Sequence, residues 1–197
     1  LEEQDLPPES REYVSALEHQ AEKLRFLIDA LVKTSRLESG VLAMTPKRHG
    51  IQQLLDAASA QAAPGAEAKA ITLTVEPTDL TARFDPKWTA EALYNLVDNA
   101  VKYTPAGGAV TLRAVGYELF CRVDVTDTGP GIPESEQARI FQRFYRSPSA
   151  SEAEGVGIGL YLARQIAAGQ GGYLKVSSRP GEGSTFSLFL PRAEERT

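Results

Sequence analysis

The stretch from Asp85 to Tyr103 constrains this chain more than any other. Asp85-Pro86 makes a helix start: the aspartate can accept from the free N–H groups of a first turn, and proline suits the first helical position. Thr104-Pro105 ends the pattern. At about 100° per residue, Leu93, Leu96, Val97, Ala100 and Val101 gather on one side, and Glu91, Asn95, Asp98, Asn99 and Lys102 on the other. A helix so divided must lay its apolar side on a core layer. A solvated face is the plain account of the polar side. Asparagine is a middling helix former, however, and two of them one turn apart are an odd choice for solvation alone. Their side-chain carbonyls are hard oxygen ligands suited to Mg²⁺, and a nearby lysine can meet phosphate charge.

The rest of the chain places this helix in a mixed fold. Pro8 to Ser39 reads as one long amphipathic helix, with Tyr13, Leu17, Leu24, Leu27, Ile28 and Leu31 at helical spacing and Gly40 as its C-cap. Such a stripe needs a partner helix. A second helix is expected from Ile51 to Ala63, broken by Pro64-Gly65. Strands are expected at Ile71–Val75, Thr81–Phe84, Val110–Val115 and Leu119–Val125, the last with Leu119, Cys121, Val123 and Val125 on one face. A short helix over Glu134–Phe141, a polar loop over Ser147–Glu154 and a helix from Leu160 to Ala168 follow. The end reads as a hairpin of Tyr173–Ser177 and Thr185–Leu190. This order predicts an α/β sandwich: one mostly antiparallel sheet covered on one face by helices, preceded by the long helix.

Three further constellations carry chemistry. Asp127-Thr128-Gly129-Pro130-Gly131 follows a strand. It can be a tight turn, or its carboxylate can accept from an adenine amino group while the glycines let the ring come close. Gly155-Val156-Gly157-Ile158-Gly159-Leu160 opens a helix, where exposed N–H groups and the positive end of the helix dipole suit phosphate. Neither the dinucleotide fingerprint nor a P-loop fits its spacing. Ile140 to Arg146 places Phe141 and Phe144 three apart, as core residues at a loop base, with Arg143 and Arg146 able to reach a terminal phosphate or face solvent.

Charge and cysteine usage narrow the class. The chain has 197 residues, 21 basic and 26 acidic, a net charge of −5 that argues against a nucleic-acid binder. Residues 1–39 hold nine acidic and five basic residues, so most of the excess is there. The lone Cys121, inside an alternating apolar pattern, reads as a buried thiol in a reducing compartment. No apolar run is long enough for a membrane helix. The first residue is Leu1, which leads us to expect a piece of a longer protein.

In this order, the motifs resemble the catalytic domain of sensor histidine kinases of two-component systems, in the ATPase superfamily shared with gyrase, heat-shock chaperones and mismatch-repair proteins. Asn95–Pro105 looks like the N box, Asp127–Gly131 the first glycine box, Phe141–Phe144 the F box, Gly155–Gly159 the second glycine box and Gly181–Phe186 the last box. Leu24–Gly40 resembles the second helix of the dimerisation hairpin. The resemblance implies a partial dimerisation region over residues 1–44 and an ATP-binding catalytic domain over 45–197.

It also implies roles. Asn99 coordinates the Mg²⁺ that bridges the ATP phosphates, Asn95 and Lys102 contact those phosphates, and Tyr103 lies against the nucleotide. Asp127 reads the adenine amino group beside Gly129 and Gly131. Gly155, Gly157 and Gly159 shape the end of a lid over Ser147–Glu154, and Leu160 opens the helix beneath the phosphates. Thr185 helps hold Asp127 or an adenine-bound water. Asn95, Lys102, Arg143 and Arg146 are the catalytic candidates. Hydrolysing members carry a glutamate base where this chain has Asn95, and an amide cannot take a proton from water. ATP is therefore expected to serve as a phosphoryl donor to a histidine, and onward to a response regulator, in a homodimer. Glu91 reads as structural or orienting. Neither His19 nor His49 has the surroundings of the acceptor histidine. Membrane attachment is expected only through an upstream sensor region, with this part on the cytoplasmic side of a bacterial inner membrane. Two other readings stay open: a serine/threonine kinase of the anti-sigma type, and a nucleotide-binding or dimerisation module without turnover.

Overall fold

The computed structural model describes residues 7–39, 43–147 and 156–193. The chain divides into two compact units, Leu1–Val41 and Leu42–Thr197. In the first, a single helix α1 covers Pro8–Glu38. Of the stripe expected from the sequence, Tyr13, Leu17, Leu24, Ile28 and Leu31 are exposed. Gly40, read as its cap, lies outside the described residues.

The second unit is built on a five-stranded sheet. In chain order it contains β1 (Lys47–Gly50), α2 (Ile51–Ala68), β2 (Thr72–Val75), β3 (Thr81–Phe84), α3 (Pro86–Tyr103), β4 (Ala109–Gly116), β5 (Phe120–Asp127) and α4 (Glu134–Gln137). A 3-10 turn at Arg139–Phe141, α5 (Gly159–Gly169), β6 (Tyr173–Arg179) and β7 (Gly183–Pro191) complete it. The sheet runs β2-β4-β5-β7-β6, with only β2 and β4 parallel. β1 and β3 pair separately as an antiparallel ribbon. Period-two alternation sends Val110 and Leu112, Cys121, Val123 and Val125, and Phe186, Leu188 and Leu190 to one buried face. There they meet Leu93, Leu96 and Val97 of α3 and Leu162 and Ile166 of α5, all buried. Each such Leu, Ile or Val contributes roughly 1.5–3 kcal/mol by leaving water. The α/β sandwich with helices on one face is thus the observed architecture.

Four local expectations are corrected. α2 does not stop at Pro64 but runs through it to Ala68. Proline removes one helical hydrogen bond, yet Ala62 and Ala66 continue the buried stripe begun by Ile51, Leu54, Leu55 and Ala58, and packing on α3 outweighs the local preference. β1 is a strand beyond those expected, and in it His49 lies opposite Ala82, with its ring 5.3 Å from that of Phe84. Leu119 is 71% exposed and precedes β5, which starts at Phe120. The single helix expected over Glu134–Phe141 divides into α4 and the 3-10 turn.

Candidate functional site

α3 is set in place before its polar face is used. Asp85 Oδ1 accepts from Lys87 N and Trp88 N, and Oδ2 accepts from Thr45 N at 3.0 Å. Behind it, Gln170 at the end of α5 accepts from Asp85 N and exchanges hydrogen bonds with Thr89 Oγ1. These groups are buried, so one polar lock joins the start of α3 to the end of α5.

On the outer face of α3 the two asparagines behave alike. Asn95 Nδ2 donates back to Glu91 O at 2.9 Å, and Asn99 Nδ2 to Asn95 O at 2.8 Å. Each amide spends a donor on its own helix, which leaves its side-chain oxygen as an acceptor. That is the oxygen a hard cation or a hydrogen-bond donor would take. Asn95 Oδ1 lies 2.7 Å from where a Cβ on residue 159 would sit, so glycine at the start of α5 lets that helix close on the N-terminal amide. Lys102 is half-buried one turn further on, and its charge reaches Asp98.

The other wall is the end of β5. Asp127 is buried, and Oδ1 accepts from Gly129 N at 2.8 Å and Ser184 N at 3.3 Å. Burial pushes its carboxyl above the usual range, and the two N–H groups offset this only in part. Oδ2 keeps the acceptor capacity. Gly129 is needed here, since a Cβ would press on Asp127 Oδ1 and on Tyr103 O. Tyr103 is half-buried at the end of α3. Burial raises its phenol above the ordinary value, while the Arg146 guanidinium works in the opposite direction, which places Arg146 within electrostatic reach of the site.

The third wall is the start of α5. Its N-cap, Ile158, supplies no side-chain acceptor, and the first turn of a helix presents N–H groups and positive dipole charge that suit an anion. Leu160 stands in that first turn. Phe144 N donates to Gly157 O at 2.9 Å, and Gly157 has a positive φ of 73° against the Tyr145 carbonyl. Arg143 Nη2 donates to Tyr161 Oη at 3.1 Å with its guanidinium over the ring. The two ends of the Ser147–Glu154 loop are therefore joined. Gly155 and residues 148–154 lie outside the described residues.

Two site expectations change. Thr185 does not hold Asp127. In the register Thr126 faces Thr185 and Asp127 faces Ser184, and Thr185 Oγ1 is 3.0 Å from Thr126 Oγ1 on the opposite face of the sheet. Ser184 is the residue that meets Asp127; strand alternation counted from the buried Phe186 would have found it. Phe144 is not a core residue but 53% exposed with a φ of 60°, whereas Phe141 is buried edge-on to Phe186. Gly131, with φ 72°, is required by the β6–β7 turn, because a Cβ would overlap the Arg179 carbonyl. Gly183, in the last box, is required as well: its φ is 84° and a Cβ there would overlap Asp127 O, so glycine lets β7 approach. Cys121 is buried with its thiol pushed up to about 11 by that burial, so it is inert.

Residues 84–194 match the family model described as histidine kinase-, DNA gyrase B- and HSP90-like ATPase. Over 192 residues the chain is 33% identical to the circadian input-output histidine kinase CikA of Synechococcus elongatus, covering 94% of this chain and 26% of that protein. It is 35% identical over 187 residues to the sensor protein DivL of Caulobacter vibrioides, covering 94% of this chain and 24% of the relative. Among solved structures, full-length ShkA in complex with AMPPNP superposes with a TM-score of 0.82 at 29% identity, over 98% of this chain and 41% of that one. The chain belongs to this ATPase family and, within it, to the histidine kinases, as their ATP-binding catalytic domain. It spans about a quarter of the length of these curated relatives. Among the described residues no helix is long and apolar enough to cross a membrane.

Proposed function

We propose that residues 45–197 bind Mg-ATP and donate its γ-phosphoryl group to a histidine on a dimerisation hairpin, for onward transfer to a response regulator aspartate. The observation that carries this reading is the convergence of three unlike groups. Two asparagines on α3 each spend an amide donor on their own helix and keep an oxygen as acceptor, the buried Asp127 takes its two N–H groups at one oxygen, and α5 begins at an N-cap that supplies no side-chain acceptor. An adenine amino group suits the second and a triphosphate the third. Among the described residues no cluster of three His, Cys, Asp or Glu could hold a metal. A divalent ion at Asn99 would thus take its other ligands from phosphates and water, which is the habit of Mg²⁺. When bound, Mg²⁺ neutralises phosphate charge. The chain's own residues do the rest: Asp127 fixes the purine, Asn95 and Lys102 the phosphates, and Arg146 adds charge as the Pγ–O bond to ADP breaks and an N–Pγ bond forms.

Asn95 in place of a glutamate base favours transfer over hydrolysis. His49, with its ring against Phe84 in a strand, is a poor acceptor, and His19 lies within α1. The acceptor is expected on another helix, and the full kinase as a homodimer with this part on the cytoplasmic side of a membrane. Mixing the chain with labelled ATP and a separate acceptor helix should give acid-labile, base-stable phosphate on histidine. Phosphoserine would reject the reading in favour of an anti-sigma type of kinase, and binding without any transfer would favour a module without turnover. In calorimetry Asn99→Ala should lose the Mg²⁺-dependent part of nucleotide affinity.

A further inference from the structure

α3 ends without a glycine. Thr104 N still donates to Ala100 O, but Thr104-Pro105 then turns the chain away. The carbonyls of Val101 and Lys102 are left beyond the reach of any following helical N–H, in the position where helices need outside donors. Both find one. Lys69, just past the end of α2, sends Nζ to Val101 O at 2.9 Å and to Lys102 O at 2.8 Å. The main chain of Lys69 is itself fixed: its N donates to Ala66 O at 3.2 Å, and its O accepts from Gly107 N at 3.1 Å. One residue therefore ties together the end of α2, the last turn of α3 and the turn that leads into β4.

That last turn is where two of the nucleotide contacts begin. Lys102 and Tyr103 leave the backbone at the clamped peptides, and Tyr103 O lies 3.2 Å from where a Cβ on Gly129 would sit, against the Asp127 loop. We infer that Lys69 is a positioning residue for the nucleotide, acting through Lys102 and Tyr103 rather than touching the ligand. The inference rests on the ATP-site reading above. The clamp needs a cation: a helix C-terminus carries partial negative charge, and a charged donor bonds a carbonyl more strongly than a neutral one. It also needs reach across to another helix, which a lysine stem provides.

The test is Mg-ADP binding by calorimetry on the full chain, at a temperature where circular dichroism shows each variant folded. Lys69→Met should weaken binding about five- to twentyfold, and Lys69→Arg should recover most of it, since guanidinium can also serve two carbonyls. Combined with Lys102→Met or with Tyr103→Leu, Lys69→Met should cost less than it does alone in at least one pair. If Lys69→Met does not fold, Lys69→Gln takes its place. Folded Lys69→Met, or Lys69→Gln in its place, binding within twofold of wild type overturns the inference. So do losses that multiply fully in both pairs, which would mean a role in stability only. If the unsubstituted chain fails to bind Mg-ADP, the site reading falls first and this inference with it.

Discussion

Asp127 and Asp85 show how differently two buried carboxyls can be held. Asp127 is short of donors, and burial raises its pKa. At Asp85 burial pushes the same way, but N–H groups from Thr45, Trp88 and Lys87 outweigh it and the net direction is down. The signs for stability are opposite. The folded Asp127 takes up its proton at higher pH than the unfolded one, so lowering the pH through that raised value stabilises the nucleotide-free protein. At neutral pH its charge is a cost accepted for binding, as at many functional sites. Asp127→Asn should therefore melt at or above the wild-type temperature at pH 7 without nucleotide. The difference should shrink as the pH falls toward the ordinary carboxyl value of 3.8. The same variant should bind Mg-ADP at least about tenfold more weakly, because an amide can present a donor where the purine also donates. Thermal scans from neutral to acid, paired with calorimetry, check both. A variant less stable than wild type at pH 7 would show that Asp127 serves the fold instead.

At the scale of elements, α3 is the part on which the site depends, and its start is the point to attack. Asp85→Ala removes acceptors from Lys87 N, Trp88 N and Thr45 N. The expected loss is about 1–2 kcal/mol in urea denaturation at neutral pH. Because the folded pKa of Asp85 is depressed, its contribution is present above the unfolded value near 3.8 and is lost as pH falls through the folded one. The gap between variant and wild type should close only in strong acid. Most of α3 was legible in the sequence: its N-cap, its proline, its end at Tyr103 and the division of its faces rest on local chemistry. β3 and the β6–β7 hairpin were legible for the same reason. What local chemistry could not show is what a distant segment imposes. Pro64 looked like a stop, but the buried stripe of α2 carries on through it. β1 exists because β3 pairs with it, and Lys47-Arg48-His49-Gly50 has no strand signature alone. Thr185 was named from its place in the last box; alternation from Phe186 puts Ser184 on the Asp127 face instead, and the register with β5 agrees. Lys69 carried no signal, since its partners are carbonyls more than thirty positions away.

At the scale of the molecule, the two units differ in what they lack. The second encloses a core that runs from Ile51 to Ala193, and every wall of the candidate site belongs to it. The first is a 31-residue helix whose Tyr13, Leu17, Leu24 and Ile28 are each more than half exposed. An apolar stripe of that length on one helix is a surface for another helix. The charge follows the same division, with net −4 on residues 1–39 against −1 on the remainder. Like charge opposes close packing of two copies, and salt screens it. The full chain should therefore associate in a concentration-dependent way in sedimentation experiments, more strongly at about 0.5 M salt than at low salt. Leu17→Glu with Leu24→Glu should disperse it, because two further carboxylates would have to be buried. Residues 42–197 alone should stay monomeric and bind Mg-ADP within about twofold of the full chain. A full chain that is monomeric at high concentration would mean that one helix of the stripe is not enough, and that pairing needs the whole hairpin. Nucleotide binding that fails in residues 42–197 would instead show that the second unit does not hold the site by itself.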